Sequence, residues 1–156
     1  MNSRIMTVRF EFLMNLAVDV GDVESLGAAP LGERRVVSIV GGTFEGPEIR
    51  GSVLPGGADW QIARKDGVLD LDAHYVLQER AGGSIEVVSQ GYRHGPAAVL
   101  AALARGEDVD PEQYFFRTVM RFVTGAPYLD WLNRAIAVST AERKARQVLL
   151  SAYRLL

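Results

Sequence analysis

The chain has no cysteine, two histidines and two tryptophans in 156 residues. Without thiols there can be no disulfide, thiolate nucleophile, zinc–thiolate site or iron–sulfur cluster. Two histidines are too few for the histidine clusters of many metalloenzymes, so neither a metal nor another cofactor is expected. Positive charge is not concentrated either. Seventeen basic side chains are scattered against 19 acidic ones, with no run longer than a pair such as Arg34-Arg35. Nucleic-acid binding needs basic groups gathered to displace phosphate counterions, and none is expected here. Long apolar runs are missing as well. The longest helical-looking one, Pro96 to Ala104, falls far short of the roughly 20 residues that cross a bilayer. Met1 to Phe10 lacks a basic stretch followed by an apolar core, so no signal peptide is expected. These absences predict a cytoplasmic protein with no membrane partner.

Two catalytic motifs are also absent. No Gly-x-Ser-x-Gly elbow occurs: the nearest serine settings are Gly51-Ser52-Val53 and Gly83-Ser84-Ile85. The glycine-rich stretch Gly41 to Gly57 is followed by no helix opened with Lys-Ser or Lys-Thr, so it does not read as a phosphate cradle. Glycines at turns, bulges and barrel corners explain it.

What is present is alternation. Val8, Phe10, Phe12, Met14, Leu16 and Val18 fall at every second position, which predicts a long strand with one buried face. Gly21 to Glu33, with three glycines and Pro30, reads as a loop. Arg35 to Val40, Asp59 to Arg64, Val68 to Glu79, Ser84 to Tyr92, Tyr114 to Val123 and Trp131 to Val138 read as further strands. They are separated by turn signals such as Asp66-Gly67 and Gly82-Gly83. One helix is predicted near 97–105, with Pro96 at its start and Gly106 at its stop. Asp110-Pro111-Glu112 reads as a cap and a single helical turn. The C-terminus is locally ambiguous: Ala141, Ala145, Val148, Leu149, Ala152 and Leu156 suit a helical face, while Val148 to Leu155 also fits a closing strand. About eight or nine short strands predict one antiparallel β-barrel domain over residues 1–156, with a sandwich as the rival.

The run Gly41-Gly42-Thr43-Phe44-Glu45-Gly46-Pro47, then Arg50-Gly51 and Leu54-Pro55-Gly56-Gly57-Ala58-Asp59-Trp60, resembles a bacterial family. It is the domain of unknown function 3237, also called uncharacterised protein family 0311. Asp72-Ala73-His74-Tyr75, Gly91-Tyr92-Arg93-His94-Gly95-Pro96, Tyr114-Phe115-Phe116-Arg117-Thr118 and Trp131-Leu132-Asn133-Arg134 continue the resemblance in order. It implies a calycin-like or allene-oxide-cyclase-like barrel, mainly β, and a C-terminal strand rather than a helix. It implies no activity. His74 stands where the family pattern more often carries arginine, which counts against a role that needs an imidazole.

The candidate ligand-binding residues are Glu45, Asp59, Trp60, His74, Arg117, Trp131 and Asn133. Arg117 interrupts an aromatic strand, and Asp59 and Asn133 stand near tryptophans. An inward Arg117 could pair with a ligand carboxylate or enolate, with Asp59 or Glu45 as a base. The competing reading is an internal salt bridge from Arg117 to one of those carboxylates. Asp70, Asp72 and His74 share one strand face, either a solvated wall or a cation site. His94 reads as a loop residue or an acid–base group. Three functions stay open: binding of a small apolar or aromatic ligand with an acidic group; a cofactor-independent isomerase, cyclase or lyase; or a structural or interaction protein. The partners expected are a small molecule and a homodimer mate.

Overall fold

The structure is a computed structural model and describes residues 4–156. Nine strands form one antiparallel sheet: β1 (Phe10–Ala29), β2 (Gly32–Glu45), β3 (Arg50–Val53), β4 (Gly57–Arg64), β5 (Leu69–Glu79), β6 (Ser84–His94), β7 (Phe115–Thr124), β8 (Ile136–Arg143) and β9 (Gln147–Leu155). One α-helix, α1 (Ala97–Ala104), joins β6 to β7, and 3-10 segments span Pro111–Gln113 and Pro127–Arg134. β1 pairs with both β9 and β2, and β5 with β6, β4 and β3, so the sheet closes into a ring. Closure leaves no long edge strand to pair with another chain. No helix among the described residues is long and apolar enough to cross a membrane.

The strand alternation builds the interior. On β7, Phe116, Thr118, Met120 and Phe122 point in, while Phe115, Arg117, Val119, Arg121 and Val123 point out. Met14, Leu77, Ile85, Val87, Met120, Leu132, Ala137 and Ala152 are fully buried. Close strand packing requires glycine at Gly42. Its φ is +137°, and a Cβ there would lie 2.1 Å from the Ala17 carbonyl oxygen.

The two ends are closed differently. Where β6 begins and β7 ends, Leu129 and Leu132 of the Pro127–Arg134 segment enter the core. The Tyr128 hydroxyl anchors that segment, accepting from the Gly83 N–H and donating to Glu79 Oε1. At the opposite end α1 lays Val99, Leu100 and Leu103 on the core. Gly106 ends it at φ +79°, where the Gly106 and Glu107 N–H groups donate to the Leu103 and Ala102 carbonyls.

Three expectations are corrected. Gly21 to Glu33 is not a loop but the far arm of the β1–β2 hairpin, where register shifts absorb the irregularity that its glycines suggested. Trp131 to Val138 is not one strand. Pro127 to Arg134 forms a 3-10 segment, because a three-residue repeat sets Leu129 and Leu132 on one face, and β8 starts only at Ile136. The alternation expected from Val8 fails early: Val8 and Phe10 are exposed, and a register shift between Phe12 and Met14 resets the buried phase. The C-terminal residues with helical spacing form β9, held between β1 and β8, as the family resemblance implied. Helix α1 and the Asp110 cap, whose Oδ1 accepts from the Glu112 N–H at 2.9 Å, stand where the sequence put them.

Inward and outward neighbours on β7 should respond very differently to truncation. Met120→Ala is expected to cost about 2–5 kcal/mol of unfolding free energy, and Val119→Ala less than about 0.5 kcal/mol, measured by urea denaturation.

Candidate functional site

The α1 end of the interior is polar. β4 turns Asp59 and Gln61 inward and leaves Trp60 outside. On β6 the inward phase set by Ile85 and Val87 continues through Ser89 to Arg93, and on β8 the phase of Ala137 and Ser139 reaches Arg143. These groups surround an interior cavity of about 50 Å³, walled by apolar side chains including Val18, Val37, Leu71, Phe116 and Val148.

The polar groups fall into two sets. One set is hydrogen-bonded. Ser89 Oγ donates to Thr118 Oγ1 at 3.0 Å, and Thr118 Oγ1 lies 2.6 Å from Ser139 Oγ, a hydroxyl chain across three strands. Asp59 Oδ2 accepts from Gln61 Nε2 at 2.8 Å, and its Oδ1 accepts from the Asp72 N–H at 3.0 Å. The other set is cationic and free. Arg93 Nε is buried with no hydrogen-bond partner among the described residues, and its guanidinium lies 5.5 Å from the Phe116 ring centroid. Among those residues no ion pair joins Asp59 to Arg93 or Arg143.

Burial disturbs all the ionisable groups here. Loss of water raises the Asp59 carboxyl above its ordinary 3.8, against the opposing pull of Gln61, the Asp72 N–H and Arg93. Desolvation, helped by nearby Arg143, pulls Arg93 down to about 10. The same loss of water lowers Arg143 and raises the Tyr75 hydroxyl. Arg93 remains charged at neutral pH, and it shares the chamber with Arg143 and the Asp59 carboxyl.

The residues expected from sequence are not assembled. Only Asp59 lines the chamber. Arg117, expected indoors, is exposed on the outer wall: its guanidinium lies over the Phe115 ring at 5.5 Å and donates to the Phe116 carbonyl at 2.9 Å. It forms no salt bridge with Asp59 or Glu45, because β7 turns its odd-numbered residues outward. Trp60 and Arg117 border one open groove on the outer wall, and Arg34 lies over the Trp60 ring at 5.7 Å. Glu45 is exposed at the end of β2. His74 is on the outer face of β5, its Nε2 2.9 Å from Asp72 Oδ1. Trp131 is half-buried in the 3-10 segment, with the Arg154 guanidinium 5.0 Å from its ring. Asn133 braces the backbone of Thr124, Oδ1 accepting from its N–H and Nδ2 donating to its carbonyl. His94 is exposed and stacked on Phe115 at 4.7 Å.

Arg93, Arg143 and Gln61 were not expected. The signal for Arg93 was present, since counting by two from Ile85 and Val87 arrives at it.

The fold and chamber define a closed antiparallel barrel with a charged interior site. A family model described as protein of unknown function (DUF3237) matches residues 8–155, and the chain belongs to that family. A UPF0311 protein of Rhodopseudomonas palustris is 38% identical over 150 residues, covering 96% of this chain and 98% of its own. One from Clostridium acetobutylicum is 33% identical over 154 residues, covering 98% of each. Among solved structures, a β-barrel-like protein of Acinetobacter baumannii superposes with a TM-score of 0.87 at 39% identity, covering 99% of this chain and 100% of its own. An enzyme from Penicillium herquei superposes at 0.76 with 21% identity and full coverage of both chains, a likeness of fold.

Because the folded carboxyl of Asp59 holds its proton more tightly than the unfolded one, its contribution to stability falls as pH rises from 3.8 through the folded value. Asp59→Asn cannot ionise. It is expected to be more stable than wild type at neutral pH, with the difference closing as pH falls toward 3.8, followed by denaturation across pH.

Proposed function

We propose that the barrel binds a small molecule with an acidic group, the acid meeting Arg93 and Arg143 inside the chamber. The observation that carries this is Arg93 Nε, buried and without a hydrogen-bond partner among the described residues. Leaving a buried charged donor unsatisfied is costly, and an anionic ligand would satisfy it. Two arginines beside a single carboxyl give the chamber the sign that an acid requires. A water-sized site takes roughly 10–15 Å³, so the cavity of about 50 Å³ holds three to five such sites, the size of an acidic head group.

A second reading has its own support. A carboxyl raised by burial beside a cation suits general acid–base work, so a cofactor-independent isomerase, cyclase or lyase would use Asp59 with Arg93. In that reading Arg117 has no part. An interaction protein has no use for a chamber whose polar groups lack partners.

Calorimetric titration with a panel of organic acids tests the binding. Arg93→Leu is expected to weaken the bound acid roughly 10- to 150-fold, the equivalent of about 1.5–3 kcal/mol for a hydrogen bond to a charged group. Arg117→Ala is expected to leave affinity unchanged. Equal affinities in wild type and Arg93→Leu, with both folded by circular dichroism, would contradict the assignment.

A further inference from the structure

We infer that the acid held in the chamber is a 2-hydroxy acid of glycolate or lactate size, its carboxylate on the guanidinium side and its hydroxyl on the Asp59–Gln61 side. This rests on the acidic-ligand reading above and specifies its chemistry.

The inference comes from counting donors and acceptors around one cavity. Arg93 and Arg143 carry N–H groups only, so that side accepts nothing and can face only acceptors. Asp59 has two oxygens with about four lone-pair sites. Two are used, by Gln61 Nε2 and the Asp72 N–H, which leaves one on each oxygen. The Gln61 side-chain carbonyl also accepts no hydrogen bond among the described residues. The opposite side therefore asks for a donor. From within, donors come from the Tyr75 hydroxyl on the chamber wall and the one O–H that the Ser89–Thr118–Ser139 chain leaves over, fewer than the acceptor sites that Asp59 and Gln61 offer.

Against an ionised Asp59, a plain carboxylate would satisfy the arginines and set its own lone pairs against those of the side chain. A hydroxyl on the neighbouring carbon turns that contact into a hydrogen bond. Size is near: three to five water-sized sites in about 50 Å³ reach the five heavy atoms of glycolate, and bonded atoms pack closer than waters, which brings the six of lactate within range. The apolar walls, among them Val18, Leu71 and Val148, suit a hydrogen or methyl on the 2-carbon and oppose a second charged group.

The test compares acids that differ only by the hydroxyl. L-lactate and propionate, and glycolate and acetate, are titrated into the full chain by calorimetry or by ¹⁵N-edited NMR. Wild type is expected to bind each hydroxy acid roughly tenfold or more tightly than its partner, because a site built to hydrogen-bond a hydroxyl rejects the analogue lacking it. In Asp59→Ala the preference should fall to about twofold or less, with propionate bound at least as well as before. In Gln61→Leu, a second variant that keeps the carboxylate, the preference should shrink without vanishing. Saturable binding of both acids with equal affinity in wild type would overturn this inference and leave the acidic-ligand reading standing. Saturable binding of neither would overturn both.

Discussion

The structure turns on one uncompensated group, the guanidinium of Arg93, held inside a closed barrel without a carboxylate in contact. Arginine is rarely withdrawn from water unless it is paired. Here the carboxylate that shares the chamber, Asp59, is occupied by Gln61 and the Asp72 backbone rather than by either arginine. Desolvation is the largest influence on both groups, bringing Arg93 down to about 10 and raising Asp59, and their mutual attraction opposes it without an ion pair. A barrel that needed only stability would gain from an apolar residue at position 93.

Such an arrangement needs a rigid frame. The ring of antiparallel strands supplies it, and the two ends divide the labour. Leu129 and Leu132 fill the end where Met14, Ile85 and Met120 already pack, and that half is an ordinary apolar core. The polar chamber lies toward the other end, beneath a short helix that contributes only Val99, Leu100 and Leu103. The hydroxyl chain from Ser89 through Thr118 to Ser139 lets polar residues cross the interior without demanding water. Among the described residues, the buried side-chain polar atom left without a partner is Arg93 Nε.

Much of the barrel could be read by eye, because alternation and turn chemistry report on the same backbone. Asp66-Gly67 turns β4 into β5, and Gly106 stops α1. What failed was phase. β7 was recognisable as a strand, but its face was not settled by the aromatics, which occur in both phases. The charges do settle it: Arg117 and Arg121 share a phase, and placing both indoors would bury two unpaired cations. On β4 the structure reverses the usual preference, turning Asp59 and Gln61 in and Trp60 out. A local rule broken in this way belongs to sites rather than to folding. The long β1–β2 arm and β9 escaped local reading for another reason, since their conformation is imposed by strand neighbours and by register shifts that no short window contains.

The claim that Arg93 is a sequestered counter-ion can be observed at a single atom. In a ¹H–¹⁵N NMR spectrum of the full chain, the Arg93 Nε–H resonance is assigned by its loss in Arg93→Lys. It should exchange with water far more slowly than the other arginine side-chain signals and should move on titration with lactate. An Arg93 Nε–H signal that exchanges as fast as those of the outer-wall arginines, and stays in place throughout the titration, would contradict the account.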